Sequence, residues 1–172
     1  MEIFKQPIES LNKLQPADFI AATNILFETA PPLVDALLAA RPFQSHEHLI
    51  DTAQAIIQNF PLSHKIDVVN AHPRIGANKT SLSALSYNEQ GYASANAASE
   101  AEDAVNARLS ELNGLYEDKF GFKFVVFVDG RSRKEIIPVL EYRIMGSKEN
   151  ELRVGLESMI LIARDRLKKL KS

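Results

Sequence analysis

Apolar residues recur at helical spacing along almost the whole chain, and the longest such stripe closes it: Leu152, Leu156, Met159, Ile160, Ala163, Leu167 and Leu170. Residues three and four apart share one face of an α-helix, so this stripe specifies a long amphipathic helix with one side to bury. Ser147 is its expected N-cap, and its closing Lys and Arg residues suit the negative end of the helix dipole.

The rest of the sequence supplies further helices to pack. From Pro16, the spacing Phe19, Ala22, Leu26 predicts a helix ending near Thr29, after a leader of weak pattern. Pro31-Pro32 start another through Leu33, Leu37 and Ala40, stopped at Arg41-Pro42-Phe43. Ser45 caps a third carrying Leu49, Ala53, Ile56, Ile57 and Phe60, closed by Pro61, and Ser63, Ile66, Val69 and Asn70 form a short fourth. Beyond Ser86, Ala93, Ala97, Ala104, Val105, Leu109, Leu112, Leu115, Tyr116 and Phe120 predict a long helix, with Asn113-Gly114 a candidate bend and Gly121 a left-handed C-terminal cap. Ser132-x-x-Glu135 is a capping box ahead of Ile136, Leu140 and Ile144, and Gly146 ends that helix. Phe122 to Val128 is the one β-like stretch; continuous rather than alternating, it fits a buried extended segment or a helix start equally well. The expected fold is all-α, one domain over 1–172, a compact bundle of about seven to nine helices.

Composition narrows the function classes. The 172 residues are 45% hydrophobic and 24% charged, ordinary for a globular domain with a sizeable core. A net charge of −2 argues against a nucleic-acid or anionic-membrane partner, which would need a basic face. Without cysteine there is no disulfide, thiolate nucleophile or Cys-based zinc site. No apolar run reaches bilayer length and the N-terminus lacks a signal-peptide core, so the expected location is cytoplasmic.

The chemistry-bearing stretch is Asn70-Ala71-His72-Pro73-Arg74-Ile75-Gly76-Ala77, with Ser86-Tyr87-Asn88-Glu89-Gln90-Gly91 downstream. Pro73 disfavours the α conformation for His72, so the imidazole sits where the preceding helix stops, and that helix end favours its charged form. The polar run to Ser83 reads as a loop. Ser86 and Glu89 have capping-box spacing, which predicts that Ser86 opens the next helix. A loop can fold this titratable pair together over a small molecule. The plainer readings are a polar residue stopping a helix for His72 and a helix cap for Glu89. His46-Glu47-His48 suggests metal ligands, but side chains two apart on a helix point away from each other, so no metal site is expected. No G-x-S-x-G elbow or phosphate-binding glycine loop is present. Arg143 and Arg166 are either exposed charges or carboxylate clamps.

His72-Pro73-Arg74-Ile75-Gly76, then Ser86-x-x-Glu89-Gln90-Gly91, then Asn113-x-x-Tyr116-x-x-Lys119-Phe120-Gly121-Phe122-x-Phe124 resemble the 2-oxo-4-hydroxy-4-carboxy-5-ureidoimidazoline (OHCU) decarboxylase family. Phe27-Glu28, Arg41-Pro42-Phe43, Gly130-Arg131-Ser132, Arg143-Ile144, Glu151 and Arg166-Leu167 fall in the same order, so the resemblance covers about residues 11 to 170. Gly146 departs from it, since many members carry Asn there. The resemblance implies decarboxylation of OHCU to (S)-allantoin and CO2 in urate breakdown, by an all-helical protein, often a homodimer, that uses no cofactor. It implies His72 and Glu89 as catalytic residues and Pro73, Ser86 and Gln90 as substrate contacts. Main-chain groups of Phe120, Gly121, Phe122, Lys123 and Phe124 would also bind substrate, with a functional arginine at Arg166 or Arg143. The alternatives are a helical protein-interaction module, which needs an exposed apolar groove, and a purine- or ureide-pathway hydrolase, which needs a positioned water and a metal for which the ligands are poor.

Overall fold

A computed structural model describes residues 2–76, 82–92 and 100–172. Among the described residues it is all-α, with a 3-10 turn at Glu2–Lys5 and then helices α1 (Ile8–Asn12), α2 (Pro16–Phe27), α3 (Pro31–Ala40), α4 (His46–Gln58), α5 (Leu62–Asn70), α6 (Ala84–Glu89), α7 (Glu100–Phe120), α8 (Arg133–Ile144) and α9 (Lys148–Lys171). The chain forms two compact units, one of residues 1–71 and 156–172, the other of residues 72–155.

Prolines and caps set the helix boundaries of the first unit. Pro16 and Pro31 open α2 and α3, where a missing N–H costs nothing. The Ser45 hydroxyl accepts from His48 N–H at the start of α4. The faces expected from spacing are the buried ones: Phe19, Ala22 and Leu26 on α2, Leu33 and Leu37 on α3, Leu49, Ala53 and Ile57 on α4. They join Met159, Ile160, Ala163 and Leu167 of α9 in one apolar cluster, into which the leader inserts Ile3, Phe4, Ile8 and Leu11. Each Leu, Ile, Phe or Met among them adds about 1.5–3 kcal/mol of transfer free energy when fully buried. His46 lies edge-on to Phe4, and His48 accepts a hydrogen bond from Gln44 N–H, so this His pair is occupied in local packing.

In the second unit α7 packs against α8. The capping box at Ser132 and Glu135 forms in both directions, and Gly121 takes φ +80° immediately after α7. Helix α7 runs unbroken through Asn113-Gly114. Ala93 and Ala97 lie outside the described residues. Phe122 to Val128 is neither helix nor paired strand, with Phe122, Phe124, Val125 and Val128 buried. Its apolar run is therefore a core-filling extended segment.

The start of α6 corrects the sequence expectation. Ser83, not Ser86, is the N-cap, its hydroxyl accepting from Ser86 N–H at 3.2 Å. Ser86 stands buried inside the helix and Glu89 is its last residue. Two serines three apart both offer cap chemistry. The upstream one wins because it places the Ser86 side chain in the interior.

Candidate active site

His72 follows the end of α5, one residue past the Ala71 C-cap, and is only 3% exposed. A side chain at a helix end is normally solvated, so this burial sets His72 apart. The residues after Pro73 each have a distinct anchor in the second unit. Arg74 makes a two-pronged contact with Glu117 of α7, its Nε donating to Oε1 at 3.1 Å. Ile75 is buried, and its carbonyl accepts from the Asn113 amide at 3.0 Å. Gly76 lies at φ +75°, and a Cβ there would come within 3.2 Å of Leu109. A residue with a side chain would meet both a strained backbone and α7. Leu109, Asn113 and Glu117 are spaced by four, so one stripe of α7 receives residues 74–76.

The end of α6 closes on the same loop. The Gln90 side chain accepts from Gly76 N–H at 2.8 Å and donates to the Arg74 carbonyl at 3.3 Å. Its amide is thereby largely committed to the backbone that follows His72. Buried Ser86 lies one helical turn before Gln90, and its carbonyl accepts the Gln90 N–H at 3.0 Å. Glu89, half-buried, sits between them. The structure thus joins the loop after His72 to the end of α6 through the Gln90 side chain. Glu89 holds no N-terminal capping position, which removes the plainer reading of its carboxylate.

The Phe120–Phe124 segment belongs to the same unit. The Tyr116 ring lies 4.6 Å from Phe120, 6.0 Å from Phe122 and 5.4 Å from Phe124, centroid to centroid. Lys123 is half-buried beside them. The Lys119 ammonium reaches the Ile144 carbonyl at the end of α8. The aromatic residues of this motif are therefore one cluster, centred on Tyr116.

Both candidate arginines are buried rather than exposed. Arg143 donates to Glu151 Oε1 and to the Val125 carbonyl, each at 2.8 Å, and lies over the Phe124 ring. The Tyr116 hydroxyl donates to the same carboxylate at 3.0 Å. Burial pushes the Tyr116 phenol up, against the pull of the Arg143 charge. Gly146 sits where a Cβ would be 3.1 Å from Glu151 Oε2, so the missing side chain makes room for that carboxylate. Arg166 lies in the first unit, 2% exposed, donating to the Ile25 carbonyl at 3.1 Å and facing the Glu28 carboxylate at 3.8 Å. Glu28 itself is held left-handed, at φ 46°. Arg143 thus holds a carboxylate of this chain by a hydrogen bond, and Arg166 faces one at ion-pair distance.

Sequence reasoning missed Arg133 and Glu117. Arg133 carried a signal: it is a cation in the first turn of α8, where the helix dipole favours acids, which marks a residue placed there by a tertiary partner. Among the described residues no group of three or more His, Asp or Glu side chains is arranged to hold a metal ion.

The family model described as OHCU decarboxylase matches residues 12–168. The chain is 28% identical over 163 residues to the uric acid degradation bifunctional protein of Bacillus sp. (strain TB-90), covering 95% of this chain but 32% of that protein. It is 26% identical over 160 residues to the 2-oxo-4-hydroxy-4-carboxy-5-ureidoimidazoline decarboxylase of Haloferax volcanii, covering 93% of each. Its fold is similar to a crystal structure of OHCU decarboxylase in the presence of (S)-allantoin, with TM-score 0.65 at 23% identity, covering 83% of this chain and 92% of that one.

Proposed function

Since the chain belongs to the OHCU decarboxylase family, we propose that it decarboxylates 2-oxo-4-hydroxy-4-carboxy-5-ureidoimidazoline to (S)-allantoin and CO2 in urate degradation. The observation that carries this reading is the buried His72 at the head of a loop fixed through Gln90, Asn113 and Glu117. A loop so restrained holds an acid/base group in one orientation, which is what a face-selective proton transfer needs.

The substrate carries a carbon with hydroxyl and carboxylate beside a ring C=N carbon. When the carbon–carboxylate bond breaks, its electron pair forms a double bond to the neighbouring ring carbon and the C=N pair passes to nitrogen, which takes a proton. The hydroxyl then loses its proton to become a carbonyl, and the ring carbon that bore the nitrogen accepts one on a single face. The substrate is its own electron sink, so the reaction uses no cofactor. His72 is assigned the acid/base steps at hydroxyl and carbon, and Glu89 the orientation of the imidazole or a contact to the hydroxyl. Pro73, Ser86 and the main chain of Phe120–Phe124 line the substrate, while Gln90 holds the loop and offers its remaining N–H. For the family's functional arginine, parallel Lys replacements of Arg143 and Arg166 decide by which of them raises KM.

The match over residues 12–168 supports treating the chain as one catalytic domain. We place it in the cytoplasm as a homodimer, for which exposed Leu115, Tyr142 and Met145 offer apolar surface; sedimentation at micromolar concentration tests the dimer.

The test of function supplies urate with the upstream enzymes and follows optical activity. The intermediate decays spontaneously to racemic allantoin, so a one-handed product identifies the activity, and a racemate formed at the spontaneous rate overturns it. Activity is expected to survive exhaustive chelation; strict dependence on an added divalent ion would favour the hydrolase.

A further inference from the structure

We propose that Arg133, at the first turn of α8, is a positioning residue that holds the His72 loop through Gln90. This rests on the reading of that loop as the catalytic one. The Arg133 guanidinium is 4% exposed and donates to the Gln90 carbonyl at 2.5 Å. It is also paired with Glu102 of α7 and lies 3.8 Å over the Tyr92 ring. Burial lowers the pKa of this arginine, with Tyr92 acting in the opposite direction. One planar cation thus fixes three chain segments: the end of α6, the turn after it, and α7.

Two links lead from there to the catalytic loop. Arg133 fixes the Gln90 main chain, and the Gln90 side chain takes Gly76 N–H and the Arg74 carbonyl. Gly91, at φ +79°, lets the chain turn beside the guanidinium, where a Cβ would be 4.0 Å from its nitrogen. Glu89 immediately precedes the residue so held. Losing Arg133 would therefore loosen His72 and Glu89 together while leaving both side chains present. Lysine cannot reproduce this, because a single ammonium lacks the planar fork that bonds twice and stacks at once.

The experiment compares wild type, Arg133→Met and Arg133→Lys by amide hydrogen exchange and by kinetics on OHCU generated in place. With Met, exchange at Gly76 should rise about tenfold, the equivalent of one charge-assisted hydrogen bond, while amides in the middle of α7 stay protected. kcat should fall by a similar factor with KM within about twofold, and the excess of (S)-allantoin should shrink. Lysine should restore part of each. A folded Arg133→Met with wild-type Gly76 exchange and wild-type kcat overturns the proposal, and so does a uniform rise across all amides. If Met does not fold, Arg133→Lys carries the same two readouts: partial losses in both support the proposal, and wild-type values in both overturn it. Wild-type protein inactive on OHCU would sink the functional reading, whereas the Gly76 exchange still judges the linkage.

Discussion

In the first unit the interior is hydrocarbon contributed by long helices, and among the described residues its buried polar side chains are Thr23, His46, Ser158 and Arg166. In the second, His72, Ser86, Gln90, Asn113, Arg133, Arg143 and Glu151 are buried among the apolar residues. The difference follows from backbone. The first unit is mostly helix, whose interior amides pair within the helix, and its links are short, as at 41–45, where the part-buried Asn12 side chain serves the Phe43 amide and carbonyl. The described part of the second includes the irregular segments 72–76 and 121–132, whose carbonyls and amides must find partners elsewhere. Asn113 serves Ile75, Gln90 serves Arg74 and Gly76, Arg143 serves Val125, and Arg133 serves Gln90. Polar side chains are buried where the backbone leaves regular structure, and those places carry the candidate chemistry. The first unit is built for stability and the second for position, which predicts that mutations divide the same way.

The largest effect is expected at His72. His72→Asn should lower the catalysed rate by about 10²–10⁴-fold with little change in melting temperature, since Asn is polar and satisfies a helix end. Chiral chromatography of the product should show (S)-allantoin excess collapsing toward a racemate. A well-folded variant that still makes one-handed product at wild-type speed would remove His72 from the mechanism. Leu37→Ala, in the apolar cluster of the first unit, should do the reverse: a loss of about 2–5 kcal/mol in urea unfolding with kcat unchanged on folded protein. If its kcat falls along with stability, the division of labour between the units fails.

Glu89→Gln sharpens the comparison within the site. Because Ser83 caps α6, the carboxylate has no N-terminal capping duty to lose. Turnover should drop about 10–100-fold while stability stays within about 0.5 kcal/mol. Proportional loss of both would make Glu89 structural. Asn113→Ala leaves the Ile75 carbonyl without its donor, for about 1–2 kcal/mol in denaturant titration. It should also erode the product's handedness, which the Leu37 variant should not. Equal stereoselectivity in both variants would break the link between loop anchoring and chemistry.

The smallest effect concerns pH. Burial lowers the His46 pKa below its ordinary 6.5, with Lys171 acting in the same direction. The unfolded chain then binds the proton more readily than the folded one. The stability contribution is complete above about pH 6.5 and is lost as pH falls below it toward the folded value. Melting temperature measured from pH 8 to pH 5 should decline less in His46→Gln than in wild type. Superimposable curves would show that His46 contributes nothing.

The helices of the first unit were legible because periodicity and punctuation act locally: Phe19, Ala22 and Leu26 face inward whatever packs on them, and Pro16, Pro31 and Ser45 start helices by their own chemistry. His72, Glu89 and Gln90 stood out in the sequence by their place at element ends and by family resemblance, and of these the structure links Gln90 to the backbone after His72. The Ser83 cap was not legible, because Ser86 with Glu89 three residues on has the better local capping spacing, and only the fold buries Ser86 inside the helix.

By itself, then, the sequence determined most of the helices, the apolar faces of those in the first unit, and which few titratable residues stand near element ends, since these depend on interactions within about four residues; it did not show the break between α6 and α7. Tertiary structure alone decided that Gln90 grips the backbone after His72, that Arg143 bonds Glu151 while Arg166 bonds the Ile25 carbonyl beside Glu28, and that Arg133 stands behind the corner. The physical reason is the reach of those interactions: an arginine's fork or a glutamine's amide bonds whichever carbonyl or carboxylate the fold brings within about 3 Å. Partners as far apart in the chain as Gly76 and Gln90, or Glu28 and Arg166, leave no mark in local spacing.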